Sequence, residues 1–203
     1  MANGNGNPVL GYLGALGPIL VALVAVYGDR IRARLFGPRL AFDLEDASGH
    51  LAHRADGSKT IYYHIKVNNG KRRDPARNVR VVCIGIAKKA ADLSFVAERV
   101  VYPVPLTWTP ADCTSAWQTV AGSSTCDLGY LEEAGGQFKL AHCFWPDGFP
   151  GYICANGAMR VTLAAEGDNV YSSAECEIEI AWDGVWEESA NERTKHLVVK
   201  RIG

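Results

Sequence analysis

Hydrophobic and polar residues are distributed along this chain in two unlike ways. From Val9 to Tyr27 the sequence runs VLGYLGALGPILVALVAVY, 19 residues with no charged side chain and no polar stripe. Beyond Tyr27, apolar residues recur mostly at every second position, in short runs bounded by Gly, Asn, Asp and Pro. The first pattern predicts a membrane-spanning helix and the second predicts half-buried strands.

The predicted transmembrane helix occupies residues 9–28 and follows a short tail, residues 1–8. At 1.5 Å per residue the uncharged run extends roughly 28 Å, close to a hydrocarbon thickness of about 30 Å. A cleaved signal peptide is disfavoured, because the leader MANGNGNP has no Lys or Arg and such a peptide needs a basic start. Gly11, Ala15, Pro18, Ala22 and Ala25 recur three or four residues apart, so the helix has a side of small residues on which a second helix can pack closely. Residues 29–39 form a basic juxtamembrane segment in which Arg30, Arg32, Arg34 and Arg39 face only Asp29. The positive-inside tendency then places the C-terminal body in the cytoplasm, with these arginines as candidate contacts for lipid headgroups.

The body, residues 40–203, reads as strands almost throughout. Leu40, Phe42 and Leu44 alternate with polar or small neighbours, and Ile61, Tyr63, Ile65 and Val67 share a face opposite Tyr62, His64, Lys66 and Asn68. Val79 to Ile86 is apolar on both faces, as in a strand inside a sheet. Met159, Val161 and Leu163 point one way, and Cys176, Ile178, Ile180 and Trp182 are set against Glu175, Glu177 and Glu179. HLVVKRI reads as a last strand. Many short strands and little helical periodicity predict a mainly β fold, an antiparallel β-sandwich after one N-terminal transmembrane helix.

The run Tyr63-x-Ile65-x-Val67-x-Asn69-Gly70, a polar turn, and Ala76-Arg77-Asn78-Val79-x-Val81 resembles the hairpin of bacterial immunoglobulin-like accessory and adhesion modules. The body also resembles those of bacterial single-pass membrane proteins with one sandwich domain after a membrane helix. The resemblance implies an immunoglobulin-like sandwich, and it implies that Asn69 and Gly70 supply the left-handed turn geometry before Val79 restarts the sheet.

Six cysteines open two alternatives. Cys83 and Cys176 fall in predicted strands, while Cys113, Cys126, Cys143 and Cys154 fall in the irregular middle. Local pairing of Cys113 with Cys126 and of Cys143 with Cys154 suits an oxidising compartment, periplasmic or extracellular. The arginine flank instead leaves them reduced in the cytoplasm, and that reading takes precedence because charge asymmetry acts directly on insertion. Zinc held by His142, Cys143 and Cys154 with Cys113 or Cys126 lacks a C-x-x-C knuckle.

The chemically richest segment is His142 to Cys154, where Phe144, Trp145, Phe149 and Tyr152 stand between Pro146, Gly148, Pro150 and Gly151. It predicts an ordered loop whose aromatics either bind a partner or cap the core. Tyr102 to Trp108 predicts an extended edge segment guarded by prolines. Asp43, Glu45 and Asp46 read as a surface acidic cluster, and His50 and His53 as part of a polar turn. No phosphate loop, G-x-G-x-x-G, H-E-x-x-H or G-x-S-x-G occurs, so no catalytic, metal or cofactor residues are assigned.

Charge completes the picture. The 203 residues sum to -1, which excludes a strongly basic nucleic-acid binder. That value conceals an uncharged helix, a basic collar and an acidic body. The expected function is a non-enzymatic, membrane-anchored interaction module or accessory subunit, with membrane lipid and a protein partner or second copy as partners and no cofactor. The alternative is an oligomeric membrane effector whose body senses a ligand, and an enzyme with an unfamiliar site ranks below both. Replacing Ala15 and Ala22 with Leu is expected to weaken a chemically cross-linked oligomer in detergent, and an unchanged cross-linking pattern would count against packing through that side.

Overall fold

The computed structural model describes residues 8–109, 116–170 and 175–203. The chain divides into two units, Met1–Gly37 and Pro38–Gly203. The first holds helix α1, Pro8–Phe36, with Pro18 inside it. Among the described residues no helix is long and apolar enough to cross a membrane. Within the uncharged run the described side chains are Gly17, Pro18, Val21, Ala22 and Val24 to Tyr27, and all but Gly17 are exposed. This part alone does not support the expected span, because its apolar stretch soon gives way to Arg30, Arg32 and Arg34 on the same helix. The side chains of Gly11 and Ala15 lie outside the described residues, whereas Pro18, Ala22 and Ala25 are exposed.

The second unit is mainly β, and every strand pairing is antiparallel. In chain order its first strands are β1 (Leu40–Leu44), β2 (His50–His53), β3 (Lys59–Asn69) and β4 (Ala76–Lys89). Shorter strands follow: β5 (Phe95–Glu98), β6 (Val104–Pro105), β7 (Gln118–Val120), β8 (Ser123–Glu132), β9 (Gln137–Leu140) and β10 (Tyr152–Cys154). The last elements are β11 (Gly157–Glu166), β12 (Cys176–Trp182), helix α2 (Ala190–His196) and β13 (Leu197–Arg201).

One sheet has the order β1-β3-β8-β9-β10, with β2 in line with β1 along the same edge of β3. The other has the order β13-β12-β11-β4-β5, with β6 and β7 also on β4. The two inner faces enclose a single core to which Ile61, Tyr63, Ile65 and Val67 contribute from one sheet and Met159, Val161, Leu163, Ile178 and Ile180 from the other. The strict alternation of β3 and β12 produces this arrangement, since side chains on successive residues leave a strand on opposite faces.

Three expectations change. His50–His53 is not a polar turn but strand β2, paired with Tyr62 to Lys59. Helix α2 precedes the last strand, although its sequence ANERTKH carries no apolar periodicity. The left-handed backbone of the β3–β4 connection belongs to Arg72 (φ 60°), with Asn78 (φ 47°) at an irregularity in β4, and neither Asn69 nor Gly70 has a positive φ. Asn69 contributes through its side chain instead. Its Oδ1 accepts from the Arg39 backbone N–H at 3.1 Å, and its Nδ2 donates to the carbonyls of Asp74 at 2.8 Å and Val120 at 3.2 Å. One buried amide thereby ties together the entry to β1, the turn and β7.

Helix α2 is fastened by a buried cation. The Arg193 guanidinium donates to the carbonyls of Glu187 (3.0 Å), Glu188 (2.5 Å), Ser48 (2.7 Å) and Gly49 (3.1 Å). The loop between β1 and β2 is thus held to the C-terminal helix by a planar fork of donors matched to carbonyls. Arg193→Met keeps much of the volume but leaves those carbonyls without their donor. It is expected to destabilise the body by roughly 2–4 kcal/mol, read as a lower denaturant midpoint.

Candidate binding site

The loop between β9 and β10 and the segment before β6 meet at one corner of the body. A turn closed by Phe149 N–H on the Pro146 carbonyl (3.1 Å) sets Phe149 inward, where it is 7% exposed and part of the core. Gly151 is required beside it, because a Cβ there would lie 2.3 Å from the Phe149 ring. Phe149, Trp145 and His142 pack edge to face: His142 to Phe149 at 4.6 Å, His142 to Trp145 at 5.8 Å and Trp145 to Phe149 at 5.5 Å between ring centres. Trp145 remains 40% exposed, Phe144 48% and Tyr102 46%, and the Phe144 and Tyr102 rings stack at 6.4 Å. A cleft of about 320 Å³ runs between Arg99 to Val104 on one side and Pro146 to Phe149 on the other.

The four aromatics expected at a partner surface therefore separate. Phe149 caps the core. Tyr152 opens β10, with the Lys88 ammonium 4.2 Å from its ring centre. Phe144 and Trp145 face solvent, and Tyr102 and Val101 join them. Tyr102 to Trp108 includes an edge strand as expected, with Val104 and Pro105 paired to β4, but it is not an exposed edge, since Val104, Leu106 and Trp108 are buried.

His142 is the unusual group beneath this corner. Its Nδ1 lies 3.3 Å from the Pro105 carbonyl, while its Nε2 is buried without a hydrogen-bond partner. Burial lowers its pKa from 6.5 to about 4, against the opposing pull of the Pro105 carbonyl.

A second site lies on the outer face of the sheet that contains β3. His64 Nδ1 is 2.8 Å from Asp127 Oδ1, with both side chains largely buried. Thr109 Oγ1 donates to the same carboxylate oxygen. The β3–β8 register shifts between Tyr63 and His64, so that Tyr63 faces Gly129 whereas His64 faces Asp127. Such a bulge re-aims side chains, and here it brings an acid and a base side by side. An open depression of about 500 Å³ adjoins the pair, lined by Glu45, His50, His64, Gln118 and the Ser123 to Thr125 stretch. Glu45 is paired with Lys66 at 3.1 Å, and the His50 and His64 rings lie 5.1 Å apart. Sequence reading placed His64 on the polar face of its strand but could not bring Asp127 to it, since the two are 63 residues apart and meet only through strand register.

Other expected sites are dispersed. Cys83, Cys126, Cys143, Cys154 and Cys176 are free, and Cys113 lies outside the described residues. The bridge between Cys143 and Cys154 that the oxidising alternative required is not formed, and Cys126 carries none. Burial pushes the Cys83 thiol up to about 12 and the Cys126 thiol well above its ordinary value. Among the described residues no three His, Cys, Asp or Glu side chains gather to hold a metal ion. Arg30, Arg32, Arg34 and Arg39 are exposed. No family model, curated protein or solved structure matches the chain.

The His142 shift has a sign. Unfolded chain takes up this proton near pH 6.5, whereas the folded protein resists it until about pH 4. The stability linked to His142 is therefore complete above pH 6.5 and is lost as the pH falls through that window, by about 3 kcal/mol in all. His142→Phe is expected to flatten the difference in denaturant midpoint between about pH 7 and about pH 4.5 relative to wild type. An undiminished difference would show that other groups carry the acid sensitivity.

Proposed function

We propose that this protein is a membrane-tethered, non-enzymatic interaction module, an accessory subunit of a membrane assembly, whose immunoglobulin-like body holds a protein partner at its aromatic corner. The observation that carries the reading is the exposure of Phe144, Trp145, Tyr102 and Val101 beside a cleft, on a base anchored by Phe149. Rigid aromatics of this kind supply large contact area for little lost side-chain freedom. Trp145 is steadied by edge-to-face packing against His142 and Phe149.

Tethering is supported by the uncharged run from Val9 to Tyr27, which lies within one continuous helix, and by exposed Val21, Val24 and Val26. A bilayer or a second helix would give these side chains an apolar neighbour. The arginines that follow favour a cytoplasmic body. A second reading, an oligomeric membrane effector whose body senses a ligand, is favoured by the polar depression beside His64.

Two measurements test the proposal. After an alkaline carbonate wash the full chain is expected to stay with the membrane pellet, and release into the supernatant would argue against the anchor. In gently solubilised membranes the tagged chain is expected to retain a stoichiometric protein partner. Phe144→Ala with Trp145→Ala should then reduce retention at least about tenfold without lowering the thermal midpoint. Full retention by that double variant would remove the corner from the argument.

A further inference from the structure

From the depression beside His64 we infer a binding site for a neutral, polyhydroxylated ligand, a mono- or disaccharide. The inference deepens the ligand-sensing reading and rests on it for what the ligand would control. Binding itself stands on the geometry of the site.

The first argument is the state of the imidazole. Asp127 engages Nδ1, so Nε2 is the ring nitrogen left to meet a ligand hydroxyl, which can donate to it or accept from it. Asp127 in turn receives Thr109 and sits 4% exposed, which holds the orientation of the ring. A held polar nitrogen at the wall of an open cavity suits a ligand hydroxyl, which both donates and accepts.

The second argument is the remaining lining. Gln118, Ser123, Ser124 and Thr125 carry amide and hydroxyl groups that both donate and accept. Sugar hydroxyls have the same dual character. Among the described residues no Lys or Arg lines the depression to receive an anion, and Glu45 is already engaged by Lys66 rather than free for a cation. Elimination by charge leaves a neutral polar ligand.

The third argument is shape. The depression lies on an open sheet face, and about 500 Å³ falls within the range of small-molecule sites. Tyr62 lies almost parallel to His64, at 6.4 Å and 8° between ring planes, with Tyr130 at 6.0 Å from Tyr62. These rings extend the polar site with aromatic faces on which the C–H face of a sugar ring can rest.

The test uses the full chain in a detergent without sugar headgroups and follows its histidine ring and backbone amide signals by NMR. The probes are maltose, cellobiose and diacetylchitobiose, with inorganic phosphate and tetramethylammonium as charged counterparts. At least one disaccharide is expected to shift the His64 ring and the Ser123 to Thr125 amides with millimolar affinity. His64→Phe should weaken that affinity at least about tenfold, and Ser124→Tyr, which fills the depression from its wall, should abolish it. Preserved amide dispersion in Ser124→Tyr separates loss of the site from loss of the fold. No shift at about 50 mM of any disaccharide, or shifts produced only by phosphate or tetramethylammonium, would overturn the inference. Partner capture is measured separately, so either result stands without the other.

Discussion

The segment from Val104 to Thr109 is the constraint on which both candidate sites depend. It begins as β6 on the edge of β4, with the Leu106 N–H on the Val81 carbonyl at 2.8 Å. It then crosses to the other sheet, where Thr107 N–H reaches the Ala141 carbonyl and Asp127 N–H reaches that of Thr107. Thr109 N–H completes the transfer on the Thr125 carbonyl at 3.1 Å. The two sheets are thereby joined through backbone hydrogen bonds, while Leu106 and Trp108 fill the space between them. An extended backbone buried between layers is tolerable only when its N–H and C=O groups are paired in this way. Tyr102 emerges before the segment at the aromatic corner, and Thr109 emerges after it at the polar depression.

Buried polar groups mark the other joints of the body. Asn69 draws three backbone segments together, and Arg193 binds a helix to a loop more than a hundred residues earlier in the chain. Their partners are mostly backbone groups, which favour one mutual placement of segments where apolar contact alone tolerates several. His142 is different. Its Nε2 lies buried with no partner, so the neutral ring is kept beneath the aromatic corner by packing against Trp145 and Phe149. That places an acid-sensitive group under the surface that the proposed function uses.

The strands were legible because their signal is local. Alternation in β3 and β12 and the two-sided apolar run in β4 predicted which side chains enter the core, and they do. Elements with weak local signals were misread: β2 is short and polar, and α2 has a single buried residue, Arg193. The aromatic loop was visible as a cluster of residue types, yet nothing local separates Phe149, which enters the core, from Trp145, which does not. That difference follows from a turn at Pro146 and a close approach at Gly151.

By itself the sequence determined a chain of two materials, an uncharged helix with a basic collar and a mainly β body, because charge segregation and the two-residue period of a strand are properties of neighbouring residues. Tertiary structure decided which polar residues meet. His64 and Asp127 are brought together by strand register and one bulge, and Thr109 reaches them only because its segment leaves one sheet for the other. No pattern within a short window encodes a contact across 63 residues, since that contact depends on how the whole backbone satisfies its hydrogen bonds while its apolar faces are buried.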